Sequence, residues 1–242
     1  MKLGQKAMEA LRREVAGRLR AGDDLVAAGC IALQGTALLV KYERETLRRI
    51  FSEGFLYDAE KNPERYGVRL KKENGDVFLL PAGKKEIREE QGEGSGILLS
   101  EETGCSGYCV SGRGGVLCAL WKLAEASGVG LKADLRKIPV RQETIEICER
   151  FDLDPYRLLS GETVLAGTAD GSGLVEACRR AGIPAAVIGK AVTGNDRLLY
   201  SDEIVRFLDR PGQDEITKLP WGAEWKTDGI FPGQESKEIC QD

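Results

Sequence analysis

The sequence predicts an α/β (α+β) fold, a mixed β-sheet covered by helices, and three observations predict it. A near-continuous apolar run from Leu25 to Leu33 suits a buried strand. Residues 129–136 alternate, with Val129, Leu131, Ala133 and Leu135 set against Lys132, Asp134 and Arg136, the period of a strand with one covered and one wet face. Apolar residues recur at helical spacing in 115–127, 140–151 and 171–182.

The elements come in order along the chain. Residues 5–20 place Met8, Leu11, Val15 and Leu19 on one face of an amphipathic helix. A turn at "AGDD" leads into the apolar strand, and a glycine break at Gly35 precedes a second helix over about 37–53. Residues 58–103 are charged and rich in turn signals, and read as a peripheral insertion; within it Asn74-Gly75, between two apolar-containing arms, predicts a hairpin. The helix over 115–127, with Val116, Leu120, Leu123 and Ala124 on one face, closes at Gly128. Next come a strand (129–136), a helix (140–151), the strand "ETVLAGTA" and the helix "GSGLVEACRRAG", the last with Ser172 as N-cap and Gly182 past its end. "AAVIGK" and "DRLLY" are short strands. The domain so read spans 21–210, preceded by the helix within 1–20 and succeeded by an aperiodic, loosely packed tail over 211–242.

Composition excludes several function classes. The chain has 242 residues, 42% hydrophobic and 31% charged, with 35 basic and 39 acidic side chains. No stretch concentrates Lys and Arg into a track for phosphate backbones, so nucleic acid is not an expected partner. No apolar run approaches the roughly 20 residues that span a bilayer, and charge interrupts the N-terminus too often for a signal peptide, so the expectation is a cytoplasmic protein without a membrane partner. Seven cysteines in that compartment are expected to be free thiols. The chain contains no histidine, which removes every Ser-His-Asp or Cys-His catalytic unit and every histidine-containing zinc site from within it.

The stretch "GCSGYCVSGRGG", 104–115, holds the candidate site residues. Gly114 and Gly115 precede a helix N-terminus, whose unpaired N–H groups and positive end favour an anion, and Arg113 adds a fork of donors. Close strand–helix approach is the simpler explanation of the glycines, with anion binding as the alternative. Cys105, Cys109 and Cys118 are metal or redox candidates, although their spacing is no CxxC knuckle and a fourth ligand is unassigned; ordinary small buried thiols are the alternative. Cys30, Cys148 and Cys178 sit at apolar positions and read as core.

Taken in order, "AGDDLVAAGCIALQGTALL", "GGVLCALWKLAEASGVGLKADLRKIPVRQETIEICERFDLDPYRLLSG" and "AGIPAAVIGKAVTGNDRLLY" resemble the C-terminal domain of the aminoimidazole ribonucleotide synthetase-related superfamily, and within it the carbamoyl-dehydratase-like hydrogenase maturation factors. The resemblance implies relatives with an N-terminal domain that dimerises and supplies most ATP and magnesium ligands. Here only residues 1–20 precede the C-terminal-type domain, so ATP-Mg is expected only if a partner supplies the other domain. "AGDD" aligns with the start of this domain, which makes Asp23 and Asp24 turn residues, with a magnesium role as the alternative reading. Where the family's loop reads His-Asp-Val-Thr-Glu-Gly-Gly, this chain has Cys109, Val110, Ser111, Gly112, Arg113, Gly114 and Gly115. The His-Asp pair is replaced by Cys109 and Val110, and the acid before the glycines by Arg113. The maturation branch uses a C-terminal cysteine as nucleophile; here Cys240 lies in "KEICQD", with two residues after it and no Pro-Arg before it.

The expectation is a non-catalytic or accessory relative that binds a partner protein or an anionic ligand. The alternative is a half-enzyme with its ATP domain supplied in trans, or a thiol or metal site at Cys105 and Cys109. Expected partners are a second copy or a full-length relative, with Trp221 and Trp225 as cover for the face the absent domain leaves open.

Overall fold

The computed structural model describes residues 4–83 and 96–225. Cys240 and the rest of the tail past Trp225 lie outside the described residues.

The N-terminal helix α1 (Gln5–Glu14) ends earlier than the apolar spacing predicts, and the chain continues as strand β1 (Val15–Gly17). Val15 and Leu19, expected on the helix face, are buried instead within and just after β1, the edge strand of the large sheet. Strand β2 (Asp24–Ala28) is shorter than the apolar run, because Ala32 adopts a left-handed conformation (φ 58°) and helix α2 (Leu33–Tyr42) starts at once. Gly35 does not break the chain: it lies inside α2, where a Cβ would stand 2.4 Å from Leu158. The long helix expected over 37–53 is therefore α2, the single turn α3 (Arg44–Leu47), and the start of α4 (Glu53–Tyr66). Ser52 caps α4, its Oγ accepting from Phe55 N–H at 3.2 Å.

Residues 58–103, expected to be peripheral, contribute to the core. Ala59 of α4 is fully buried. Strands β3 (Val68–Glu73) and β4 (Asp76–Pro81) form the predicted hairpin, with Asn74 and Gly75 both at positive φ (52° and 93°), as a two-residue turn of the hairpin type requires. With β5 (Ile97–Leu98) they make a small sheet whose Val68 and Leu79 enter the core beside Val164 and Cys178.

The rest of the domain continues with strand β6 (Cys105–Gly112), helix α5 (Gly115–Ser127), strand β7 (Gly130–Asp134), helix α6 (Gln142–Arg150), strand β8 (Ser160–Thr168) and helix α7 (Gly171–Ala181). Strands β9 (Ala185–Val192), β10 (Arg197–Ser201) and β11 (Ile204–Phe207) complete it. Asp170, not Ser172, caps α7, accepting from Gly173 N–H at 2.9 Å. The large sheet runs β1-β6-β8-β2-β9-β7-β10-β11, antiparallel except between β7 and β10, so it is mixed as predicted. Helices α1 and α5 cover one face over Leu25, Leu131, Leu165 and Leu199; α7 and the small sheet cover the other over Ala28 and Ala166. Helices α2, α4 and α6 enclose a third cluster around Leu39, Leu56 and Ile147.

Residues 211–222, expected to be loose, are packed. Ile216 is fully buried in the third cluster, and Trp221 stacks on Tyr42 at 4.5 Å. The tail's Trp221 covers α2 rather than an open sheet face.

Candidate functional site at the turn before α5

The cysteine-rich stretch is not the loop its glycines imply. It is strand β6, second from the sheet edge, bonded to β1 and β8. A β-bulge at Ser106 breaks the alternation between Cys105 and Gly107. Cys105 therefore joins the cluster under α7, while Cys109 joins the cluster under α5 on the opposite face. The two thiols expected as a redox or metal pair are separated by the sheet itself.

Cys109 and Cys118 do share a neighbourhood, around Lys122. All three are buried, and the Lys122 ammonium donates to the Glu14 carboxylate, linking α5 to α1. Burial pushes Cys105 up to about 11 and Cys109 up to about 12, and raises Cys118 as well, against the pull of Lys122 on the latter two. All three are neutral thiols near pH 7, the opposite of what nucleophilic or ligating cysteine needs. Burial disfavours the Lys122 ammonium, but Cys118 in its ionised form and the Glu14 carboxylate more than offset it and hold its pKa above the ordinary lysine value. Among the described residues no three His, Cys, Asp or Glu side chains converge as metal ligands.

The glycine pair sits where the sequence places it, at the turn into α5, with φ of 75° at Gly114 and 66° at Gly115. A Cβ on Gly114 would lie 2.9 Å from Cys118 Cβ, and one on Gly115 2.4 Å from the Tyr156 carbonyl oxygen, so both conformation and space call for glycine. The anion expected at this helix end is present, and it comes from the chain. Gly114 N–H donates to Asp214 Oδ2 at 2.7 Å, and Asp214 Oδ1 accepts from Ile216 N–H at 3.0 Å. Asp214 is 4% exposed; burial raises its pKa, opposed by the N–H groups of Ile216, Gly114 and Leu159 and by the charge of Arg113. Arg113, Gly114 and Gly115 are thus brought together around an internal carboxylate.

Asp23 and Asp24 are likewise engaged within the fold. Asp23 accepts from Arg20 N–H at 2.7 Å and from the Ser106 hydroxyl, and Asp24 accepts from Lys190 at 2.6 Å and Gly171 N–H at 3.2 Å. The bond from Lys190 lowers the Asp24 pKa.

Sequence reasoning missed three residues here: Lys122, Asp214 and Glu162. Lys122 carried a signal, as the lone cation in an otherwise apolar first three turns of α5. Glu162, on β8, has a carboxylate oxygen shielded from solvent with no partner, and burial pushes its pKa up to about 7, against the N–H groups of Glu162 itself and Gln34.

Comparison with known proteins places the chain in a family and matches its fold. The model of the family "AIR synthase related protein, C-terminal domain" matches residues 20–200. Subunit PurL of phosphoribosylformylglycinamidine synthase from Methanopyrus kandleri is 28% identical over 123 residues, 49% of this chain and 14% of that protein. HypE of E. coli, a hydrogenase maturation protein, superposes with TM-score 0.53 at 18% identity, covering 84% of this chain and 53% of HypE. HypE in its complex with HypF gives TM-score 0.50 at 18% identity, covering 80% of this chain and 54% of that one. At that identity the structural likeness is one of fold. The chain spans about half the length of these solved structures and a smaller part of the curated relative.

Proposed function

The chain belongs to the AIR synthase-related proteins through their C-terminal domain, and from that premise we propose that it serves as an accessory, non-catalytic module that binds a partner protein. The observation that carries this reading is the Asp214 carboxylate seated on Gly114 N–H. The helix end where an external phosphate group would gain most is already neutralised from within. Around it, the positions where the family's loop carries His and Asp hold a neutral buried thiol, Cys109, and an exposed Val110. Neither moves a proton near neutral pH.

Strand β11 supports the partner. It is a sheet edge, and Ile204, Val205 and Phe207 are 68%, 52% and 66% exposed, an apolar edge of the kind that pairs with another chain. The partner in this reading is a full-length relative or a second copy.

The test is to mix the purified chain with a full-length HypE-type relative, and to monitor complex formation by gel filtration and phosphate release from ATP-Mg. The expected result is a complex that Val205→Lys with Phe207→Lys abolishes, with phosphate release no faster than the relative's own. Turnover stimulated by the chain assigns instead the half-enzyme acting in trans.

A further inference from the structure

A cleft of about 550 Å³ opens where α1 passes into β1, at the free edge of the large sheet. Its wall carries Arg12, Arg18, Arg20 and Glu101, and its floor is formed by Val15 and Leu19, both rooted in the core under α5. That volume falls within the roughly 300–1,000 Å³ usual for small-molecule sites.

Charge identifies the class of ligand. The whole chain has a formal net charge of -4, yet three arginines line this cleft with one carboxylate residue, Glu101, among them. Arg20 pairs with Glu101 at 3.1 Å, but the two side chains are 69% and 77% exposed, so the bridge contributes little and yields readily. Arg12 and Arg18 are exposed, and make no ion pair among the described residues. The negative end of α1 accounts for a cation in its last turn, such as Arg12, but not for Arg18 and Arg20 beyond it. Like charges held together favour an anion between them, and the planar guanidinium fork matches phosphate oxygens in pairs.

Position separates this cleft from the inherited domain. Arg12, Val15, Arg18 and Leu19 precede residue 20, where the family match begins.

We propose that this cleft binds a phosphate group, as free pyrophosphate or as the phosphate end of a monoester. Arg12 and Arg18 supply the paired donors, and Arg20 turns from Glu101 to the ligand. The site is independent of the accessory role and of the turn before α5.

Calorimetric titration of the full chain with inorganic pyrophosphate, and separately with AMP, tests it. Binding of at least one probe is expected, weakening as salt rises. Arg18→Gln, and Arg12→Gln with Arg18→Gln, should each weaken it, the pair by about tenfold or more, with the unfolding midpoint unchanged because both side chains are exposed. Tighter binding of AMP identifies a monoester, and tighter binding of pyrophosphate identifies the free anion. No binding of either probe at millimolar concentration, or equal binding by the wild-type chain and the double variant, overturns the proposal.

Discussion

Gly114 and Asp214, a hundred residues apart, are joined by a 2.7 Å hydrogen bond from the Gly114 N–H to the buried carboxylate. The bond fixes the segment after β11 onto the N-terminus of α5, and it turns a helix end that would attract a ligand into a structural cap.

Removing that carboxylate exposes its worth. Asp214→Ala leaves the N–H groups of Gly114 and Ile216 buried without their acceptor, and is expected to cost about 1–3 kcal/mol in urea unfolding. Asp214→Asn turns one of the two accepting oxygens into an amide donor facing an N–H, and should keep only part of the stability. Equal stability of Asp214→Ala and the wild-type chain would mean that the cap contributes nothing.

The buried pair of Lys122 and Glu14 makes a second prediction. Glu14→Gln removes the countercharge of an ammonium that is 3% exposed, and is expected to destabilise by about 3 kcal/mol. Replacing both, Lys122→Met with Glu14→Leu, should recover most of that loss. A double-mutant cycle with no coupling energy would sever the proposed tie between α1 and α5.

Thiol reactivity tests the reading of the cysteines. In a Cys240→Ser variant, the six cysteines of the described residues are buried. They should react with a thiol reagent only at the rate of unfolding, and all six should titrate in denaturant. Rapid native-state labelling of Cys105 or Cys109 would contradict their burial.

Glu162 predicts a pH dependence. Its folded pKa of about 7 lies above its ordinary value of 4.5, so the folded state holds the proton more tightly than the unfolded one. Stability from this group is complete below about 4.5, and is lost as pH rises through about 7, by on the order of 3 kcal/mol. Glu162→Gln should flatten that limb when unfolding is measured between these values. An unchanged slope in the variant would assign the dependence to another group.

Much of the fold was legible because its signals are local. Helix α5 declared itself by an apolar run closed by Gly128, β7 by strict alternation, and the β3–β4 hairpin by Asn74-Gly75. Strand β6 was not legible, since the bulge at Ser106 and the small residues around it erase the period of two that marks a strand. Strand β1 was read as helix because Val15 and Leu19 fit a helical face as well as a buried edge. The segment carrying Asp214 has no period at all, and its burial depends on groups contributed by the start of α5 and by the chain between α6 and β8.

By itself the sequence determined the layered mixed sheet, the family resemblance, the glycine turn before α5 and the absence of histidine chemistry, because each arises from residue type and local spacing. Only the tertiary structure decided that Cys105 and Cys109 face opposite sides of the sheet, that Lys122 meets Glu14, that three arginines share a cleft, and that Asp214 fills the helix end. These are relations between side chains distant along the chain. Burial and charge at such contacts are set by where strands pair and helices dock, which no local period encodes.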